Sequence, residues 1–288
     1  MNLEFNEQTG SPENTEAEKI RLFNQTTIYI NAGGRGTRLE SIFPKGPSGV
    51  TKALIDFNGK PMIQNHTDLL LELGFKNIII GAGDHLNIKE HYKTQENEKL
   101  NVVNTENQED TGGDLIKAIR EIQNIGKNIL VENVDTVLYI KNISELLAQH
   151  EKTEATATIV LTTKKDVPNE GAFFVDESGK VVFSKEGRKT DKLMEPENWS
   201  GLRASSTGVV IFKTDFLLSY DWQSGQGQLS VYRDLIPELI KQEKLYAYDN
   251  GDNLFTDTGT PESYKLIKNH EKKLFGALGD KYLKQDKK

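Results

Sequence analysis

The 288-residue chain contains no cysteine. That excludes a disulfide scaffold, a thiolate zinc site and a cysteine nucleophile, and it suits a reducing compartment. Tryptophan and methionine are scarce, with two and three residues, and proline numbers eight. A proline-rich linker is therefore absent, and so is a methionine-rich adaptable surface. No run approaches the ~18 apolar residues of a membrane span. The densest early stretch, Thr27 to Ala32, is short and lacks the flanks of a secretory signal, so a cytoplasmic protein with no membrane partner is expected. An excess of basic charge is missing too. Formal net charge is −7, which speaks against a general nucleic-acid binder but not against a small anionic substrate. No repeat with a period of 20 to 50 residues is visible, so solenoid and propeller folds are excluded.

What is present is an alternation of apolar strands with amphipathic helices. Hydrophobic residues make up 36% of the chain, enough for one sizeable core. Buried strands are expected at Thr27–Asn31, Asn77–Ile80, Ile129–Glu132 and Ala157–Thr162. Between them Met62–Leu73, Asp114–Ile122 and Ile143–His150 carry helical periodicity. A short strand at Ala53–Phe57 runs into an Asn58-Gly59 turn. Strand–helix–strand repetition implies an α/β fold of the Rossmann-like three-layer kind: a mostly parallel sheet with helices on both faces. Ligands of such sheets sit at the carboxyl ends of the strands. From about Val167 the pattern turns to a hairpin (Glu170–Asp176 and Val181–Ser184) and further strands at Gly208–Phe212 and Leu245–Tyr248, a mixed β region suited to covering a substrate. Three parts are expected: a polar leader over 1–25, disordered or loosely docked, one domain over 26–265, and a C-terminal helix with a lysine-rich tail over 266–288. The leader is a candidate interface for a homo-oligomer.

The strongest chemical signal is the segment Ala32-Gly33-Gly34-Arg35-Gly36-Thr37-Arg38-Leu39, directly after the first strand. Its glycines let backbone N–H groups approach a phosphate, and Arg38 adds a charged fork for phosphate oxygens. The spacing is neither that of a dinucleotide fingerprint nor that of a P-loop.

This loop resembles the GGxGTRL signature of sugar-1-phosphate nucleotidyltransferases. A second family element follows in register, Thr51-Lys52-Ala53-Leu54-Ile55-Asp56-Phe57-Asn58-Gly59-Lys60-Pro61-Met62-Ile63. The resemblance implies the nucleotide-diphospho-sugar transferase fold, a nucleoside triphosphate and a sugar 1-phosphate as substrates, and magnesium as cofactor. It places Ala32, Gly33, Gly34, Gly36, Thr37 and Arg38 on the nucleotide and makes Lys52 the phosphate-binding lysine. Thr111-Gly112-Gly113 looks like the family's base-binding turn with Asp110 for its leading glycine, and Glu106 upstream is either a nucleobase contact or a solvated carboxylate.

Asn133-Val134-Asp135 stands where the family has Asn-Gly-Asp, which implies Asp135 as a magnesium ligand and puts a valine where a glycine is usual. Asp257, in Asp257-Thr258-Gly259-Thr260-Pro261-Glu262-Ser263, is the implied second ligand; its competing reading is a helix cap. Acceptor contacts are implied for Gly171, for Lys185 (with Arg188 and Lys189 as rivals) and for Thr207 in Ser206-Thr207-Gly208, which replaces Asn-Ala-Gly. That replacement leaves a non-sugar phosphate acceptor open. A catalytically silent nucleotide sensor is the alternative from another class. Overall likeness to the heptose- and mannose-1-phosphate guanylyltransferase branch favours GTP.

Overall fold

The computed structural model describes residues 12–34, 36–43, 51–93, 97–105, 110–153, 155–164, 172–185 and 198–285. It opens with helix α1 (Pro12–Asn24), which hands over to strand β1 (Thr26–Asn31). A hairpin follows, β2 (Asp56–Phe57) and β3 (Lys60–Pro61), closed by Asn58 and Gly59 with φ of 57° and 81°. That double left-handed turn is what the Asn-Gly pair predicts. Next come α2 (Met62–Glu72), β4 (Ile78–Gly81), α3 (Leu86–Lys93), β5 (Leu100–Val103), α4 (Asp110–Glu121), β6 (Asn128–Asn133), β7 (Thr136–Leu138), α5 (Ile143–Lys152) and β8 (Ala157–Thr162). The second half holds β9 (Ala172–Val175), β10 (Val181–Ser184), β11 (Leu202–Lys213), α6 (Thr214–Ser219), α7 (Ile236–Lys241), β12 (Leu245–Asp249), β13 (Phe255–Asp257) and α8 (Pro261–Gln285).

The main sheet runs β10-β9-β11-β6-β1-β4-β5, and β11 also carries β8, which in turn carries β12. β1 lies between β6 and β4, parallel to both, and β5 continues the set. β11 is antiparallel to β6 and to β8, so β8 and its parallel neighbour β12 point the same way as β1. The expected mostly parallel sheet is thus present, with β11 as the reversed strand inserted into it. Successive side chains leave a strand on opposite faces. Ile28 and Ile30 therefore join one buried cluster while Tyr29 joins another; Ile78 and Ile80 separate from Ile79 in the same way. Helix α5 covers the first face through Leu146 and Leu147, and α4 covers the second through Leu115, Ile116 and Ile119. Burial on both faces is why these strands read as unbroken apolar runs.

Three expectations change. The strand expected over Ala53–Phe57 shrinks to Asp56–Phe57, because Lys52–Leu54 forms a 3₁₀ turn. The described part of the leader is not loose. α1 docks by burying Leu22 and Phe23, and the Phe23 ring stacks on Phe75 with centroids 4.4 Å apart. Arg21 meets Glu151 of α5 at 2.6 Å. Among the described residues of this polar segment Leu22 and Phe23 are the buried apolar ones, too few for a visible helical stripe. Strand β11 is also far longer than Gly208–Phe212. Its first half pairs with β9 and its second half with β6, and its register against β8 shifts between Ser206 and Val210. Among the described residues no helix is long and apolar enough to cross a membrane.

His150 of α5 is enclosed beneath the sheet. Its Nδ1 lies 2.8 Å from Thr158 Oγ1 and its Nε2 has no partner. Burial, with a smaller push from the Lys213 ammonium, brings its pKa down to about 4. The folded chain therefore resists protonation where the unfolded chain accepts it. The stability this group protects is complete above pH ~6.5 and is lost as pH falls towards ~4, about 3 kcal/mol in all. Urea unfolding at pH 7.5 and pH 4.5 should show this loss, and a His150→Gln chain should show it reduced by about that amount.

Candidate active site

The site is built where β1 and β6 end side by side. Asn31 and Asn133 are register partners there, and Asn31 Nδ2 donates to Asn133 Oδ1 at 3.2 Å. Beyond β1 the chain makes its glycine loop. The Ala32 N–H donates to the Gly81 carbonyl, and Gly33 lies against Gly83, so this part of the loop is pinned to the end of β4. Gly34 faces the cleft. Gly36 takes φ of 64°, and a Cβ there would sit 2.8 Å from Lys52 Cγ. Only glycine supplies both the left-handed backbone and the room for the lysine stem. The turn Thr37–Leu39 then buries Leu39 and sends Arg38 into the cleft. Arg35 lies outside the described residues.

Lys52 stands on a 3₁₀ turn whose start is capped by Thr51 Oγ1, which accepts the Ala53 N–H. Its Nζ reaches Asp135 Oδ2 at 2.5 Å, and both side chains are only 15% exposed. Asp135 follows β6. Val134 before it is buried and its backbone is outside the left-handed region, so valine fits a position where the family carries glycine. The pairing of β7 with β13 sets Thr136 opposite Asp257, and the Thr258 N–H donates to the Asp135 carbonyl at 2.8 Å. The Asp135 carboxylate, in the turn between β6 and β7, is thereby fixed beside the Asp257 carboxylate at the end of β13. Asp257 Oδ1 accepts the Gly259 N–H at 2.6 Å and does not cap α8. Thr260 and Ser263 cap that helix reciprocally, each side-chain oxygen accepting the other's N–H. A Cβ on Gly259 would lie 2.8 Å from Asp257 Oδ1 and 3.1 Å from Arg38 Nη2, which shows how closely the guanidinium approaches this turn.

The opposite wall comes from β11 and the segment after it. Gly208, at φ of 84°, forms the bulge, and its N–H donates to Ser206 Oγ at 3.1 Å. Such a bulge re-aims a strand beside a site. Ser206 faces Tyr232 across 3.4 Å. Thr207 turns its hydroxyl inward to the Val160 carbonyl at 2.8 Å. The whole cleft is about 330 Å³, within the range of small-molecule sites.

Of the residues singled out from the sequence, Gly34, Arg38, Lys52, Asp135, Thr207 and Asp257 line one cleft. Ala32, Gly33, Gly36 and Thr37 shape the loop around it. Thr111 and Gly112 are placed elsewhere. The Gly112 and Gly113 N–H groups donate to the Leu229 carbonyl, and Thr111 Oγ1 accepts the Val231 N–H at 3.0 Å. These groups fasten another part of the chain. Lys185 stands exposed at the end of β10, its N–H donating to Ala172, and is not among the residues lining the cleft. Glu106, Gly171, Arg188 and Lys189 lie outside the described residues. Sequence reasoning missed Asn31, Thr136, Tyr232 and Phe255, all on the cleft wall. Only Asn31 had a signal, as a polar residue ending an apolar strand.

Chemically, the cleft joins two fixed cations to two carboxylates. Among the described residues no group of three or more histidine, cysteine or acidic side chains is gathered for a metal. The described residues therefore offer no dedicated protein cage. Two carboxylates on one cleft do fit a hard divalent cation that completes its shell with water and substrate phosphate.

Comparison with known proteins agrees. The family model described as nucleotidyl transferase matches residues 29–273, a span that includes every residue lining the cleft. A mannose-1-phosphate guanyltransferase of Gibberella zeae is 26% identical over 243 residues, which cover 82% of this chain and 61% of the relative. The chain thus spans about three fifths of the length of such curated relatives. Among solved structures, HddC from Yersinia pseudotuberculosis superposes with a TM-score of 0.62 at 21% identity, covering 84% of this chain and 98% of that one. The inositol-1-phosphate CTP transferase from T. maritima gives 0.62 at 14% identity, covering 90% and 96%. These two likenesses establish the shared fold, and the family match, which extends over most of the chain, establishes that this protein belongs to the nucleotidyl transferase family.

Proposed function

We propose that this protein joins a nucleoside triphosphate, GTP by preference, to a sugar 1-phosphate, forming a nucleoside-diphosphate sugar and pyrophosphate. The observation that carries the reading is the convergence of Arg38, Lys52, Asp135 and Asp257 on one cleft at the ends of β1 and β6. The relatives described as mannose-1-phosphate guanyltransferases support GTP.

The acceptor phosphate is already anionic at neutral pH, so its oxygen attacks the α-phosphorus without a protein base. A bond from that oxygen to phosphorus forms as the bond to the β-phosphate bridging oxygen breaks, and pyrophosphate leaves. Catalysis then rests on orientation and on neutralising charge. The glycine loop and Arg38 hold the triphosphate and the departing pyrophosphate. Lys52 neutralises charge at the α-phosphate. Asp135 and Asp257 are the residues that would hold magnesium, which when bound supplies positive charge to the reacting phosphates.

The test is pyrophosphate release in magnesium from a panel of nucleoside triphosphates crossed with sugar 1-phosphates and an inositol phosphate. Release that requires both substrates, greatest with GTP and a sugar 1-phosphate, is the expected result. Release only with the inositol phosphate would move the acceptor outside the sugars. Nucleotide binding with no release from any pair would replace the enzyme by a sensor.

A further inference from the structure

We infer that Tyr232 determines acceptor specificity, and that Asp110 positions it through a clasp between the start of α4 and the turn over residues 229–233. The inference rests on the transferase reading above and names what the second substrate meets.

The two walls of the cleft differ in chemistry. The lining cations, Arg38 and Lys52, both belong to the glycine-loop side, where a triphosphate is neutralised. The facing wall presents hydroxyls and an aromatic ring. Ser206 accepts the Gly208 N–H and donates its own proton to the Tyr232 oxygen. The ring of Tyr232 also packs on the core cluster that includes Val231 and Leu235. A rigid ring with a polar tip beside a second hydroxyl suits a polyhydroxylated ring, which offers C–H groups on its face and hydroxyls on its rim.

Tyr232 does not sit on an ordinary helix. Residues Val231–Leu235 form a π-turn, a wide geometry that concentrates at functional sites. Ser230 secures it from within, its N–H donating to Asp234 Oδ2 at 2.7 Å. The rest of the hold comes from α4. Leu229 accepts the N–H groups of Gly112 and Gly113 at 2.8 and 3.0 Å, and Val231 donates to Thr111 Oγ1. Arg233, the neighbour of Tyr232, pairs with Asp110. Asp110 itself takes φ of 67°, a conformation uncommon for a side chain larger than glycine but tolerated by aspartate. Tie points on both sides of Tyr232 thus fix the reach of its ring into the cleft.

The experiment measures KM for each substrate in magnesium, using the nucleotide and acceptor pair that the panel identifies, with thermal unfolding to verify folding. Tyr232→Phe should raise the acceptor KM about tenfold and leave the nucleotide KM within about twofold. Asp110→Asn keeps the backbone preference and loses the charge, and should raise the acceptor KM several-fold. Added to Tyr232→Ala it should change the acceptor KM no further, because its effect runs through that ring. An unchanged acceptor KM in an active Tyr232→Phe chain, or an equal rise in both KM values, overturns the inference alone. An Asp110→Asn effect that persists in full on Tyr232→Ala overturns the positioning role. A wild-type chain without turnover on the panel overturns the transferase reading and this inference with it.

Discussion

Replacing Lys52 by alanine will lower pyrophosphate release about 10²–10³-fold, on the scale of a lost oxyanion donor, and will tighten the binding of a divalent cation to the nucleotide-free chain. The two effects have opposite signs because the proposed function gives Lys52 two partners at different times. Without nucleotide its ammonium rests on Asp135 Oδ2 at 2.5 Å, with both side chains largely withdrawn from water. In that state Lys52 serves as the counter-ion of a carboxylate that the proposed reaction would use for a metal. Removing it strands a partly buried negative charge, and a cation from solution compensates that charge most readily. In the proposed transfer the same ammonium is needed at the α-phosphate; the other cation among the described lining residues, Arg38, approaches the turn at Gly259 instead. Manganese binding to the free protein, followed by electron paramagnetic resonance, reads the first effect, and turnover at saturating substrates reads the second. Near-normal turnover would remove Lys52 from the chemistry. Manganese affinity that is unchanged or weaker would show that its hold on Asp135 does not guard a cation site.

How much of this was legible beforehand follows from where each residue finds its partners. β1, β4, β6 and β8 could be read because both faces are buried and their sequences are continuously apolar. The first half of β11 could not: Leu202–Ser205 is half polar and becomes a strand by pairing with β9 and, at Ser205, with β8. The glycine loop, Lys52, Asp135 and Asp257 were visible as motifs because each depends on the few residues around it. The Thr111-Gly112-Gly113 turn shows the limit of that logic. The resemblance implies a base-binding turn, yet here the Gly112 and Gly113 N–H groups meet Leu229, a carbonyl far along the chain that no local pattern announces. Tyr232 was hidden for the matching reason. Its segment looks like an ordinary helix start, and the π-turn that delivers the ring to the cleft exists because α4 holds it. Thr207 is the reverse case, a residue in a recognisable position whose hydroxyl the β11 bulge turns into the core.

The two carboxylates should prove unequal. Asp135→Asn is expected to lower turnover roughly 10³-fold or more, on the scale of a lost metal ligand compounded by a misplaced lysine. The substitution takes away half of the charge available to a divalent cation, and in the same stroke it leaves Lys52 a neutral amide in place of its charged partner, a weaker hold on the ammonium. Asp257→Asn should cost less, about 10²-fold. One Asp257 oxygen is already committed to the Gly259 N–H at 2.6 Å, and an amide oxygen can accept that bond equally well, so the turn beneath Arg38 keeps its shape. What this second substitution removes is charge alone. Non-additivity sharpens the contrast. If Lys52 and Asp135 act as one unit, adding Lys52→Ala to Asp135→Asn lowers turnover far less than it does in the wild-type chain. Two losses that simply multiplied would instead mean that lysine and carboxylate serve separate steps, with their 2.5 Å contact a resting arrangement that the reaction never uses.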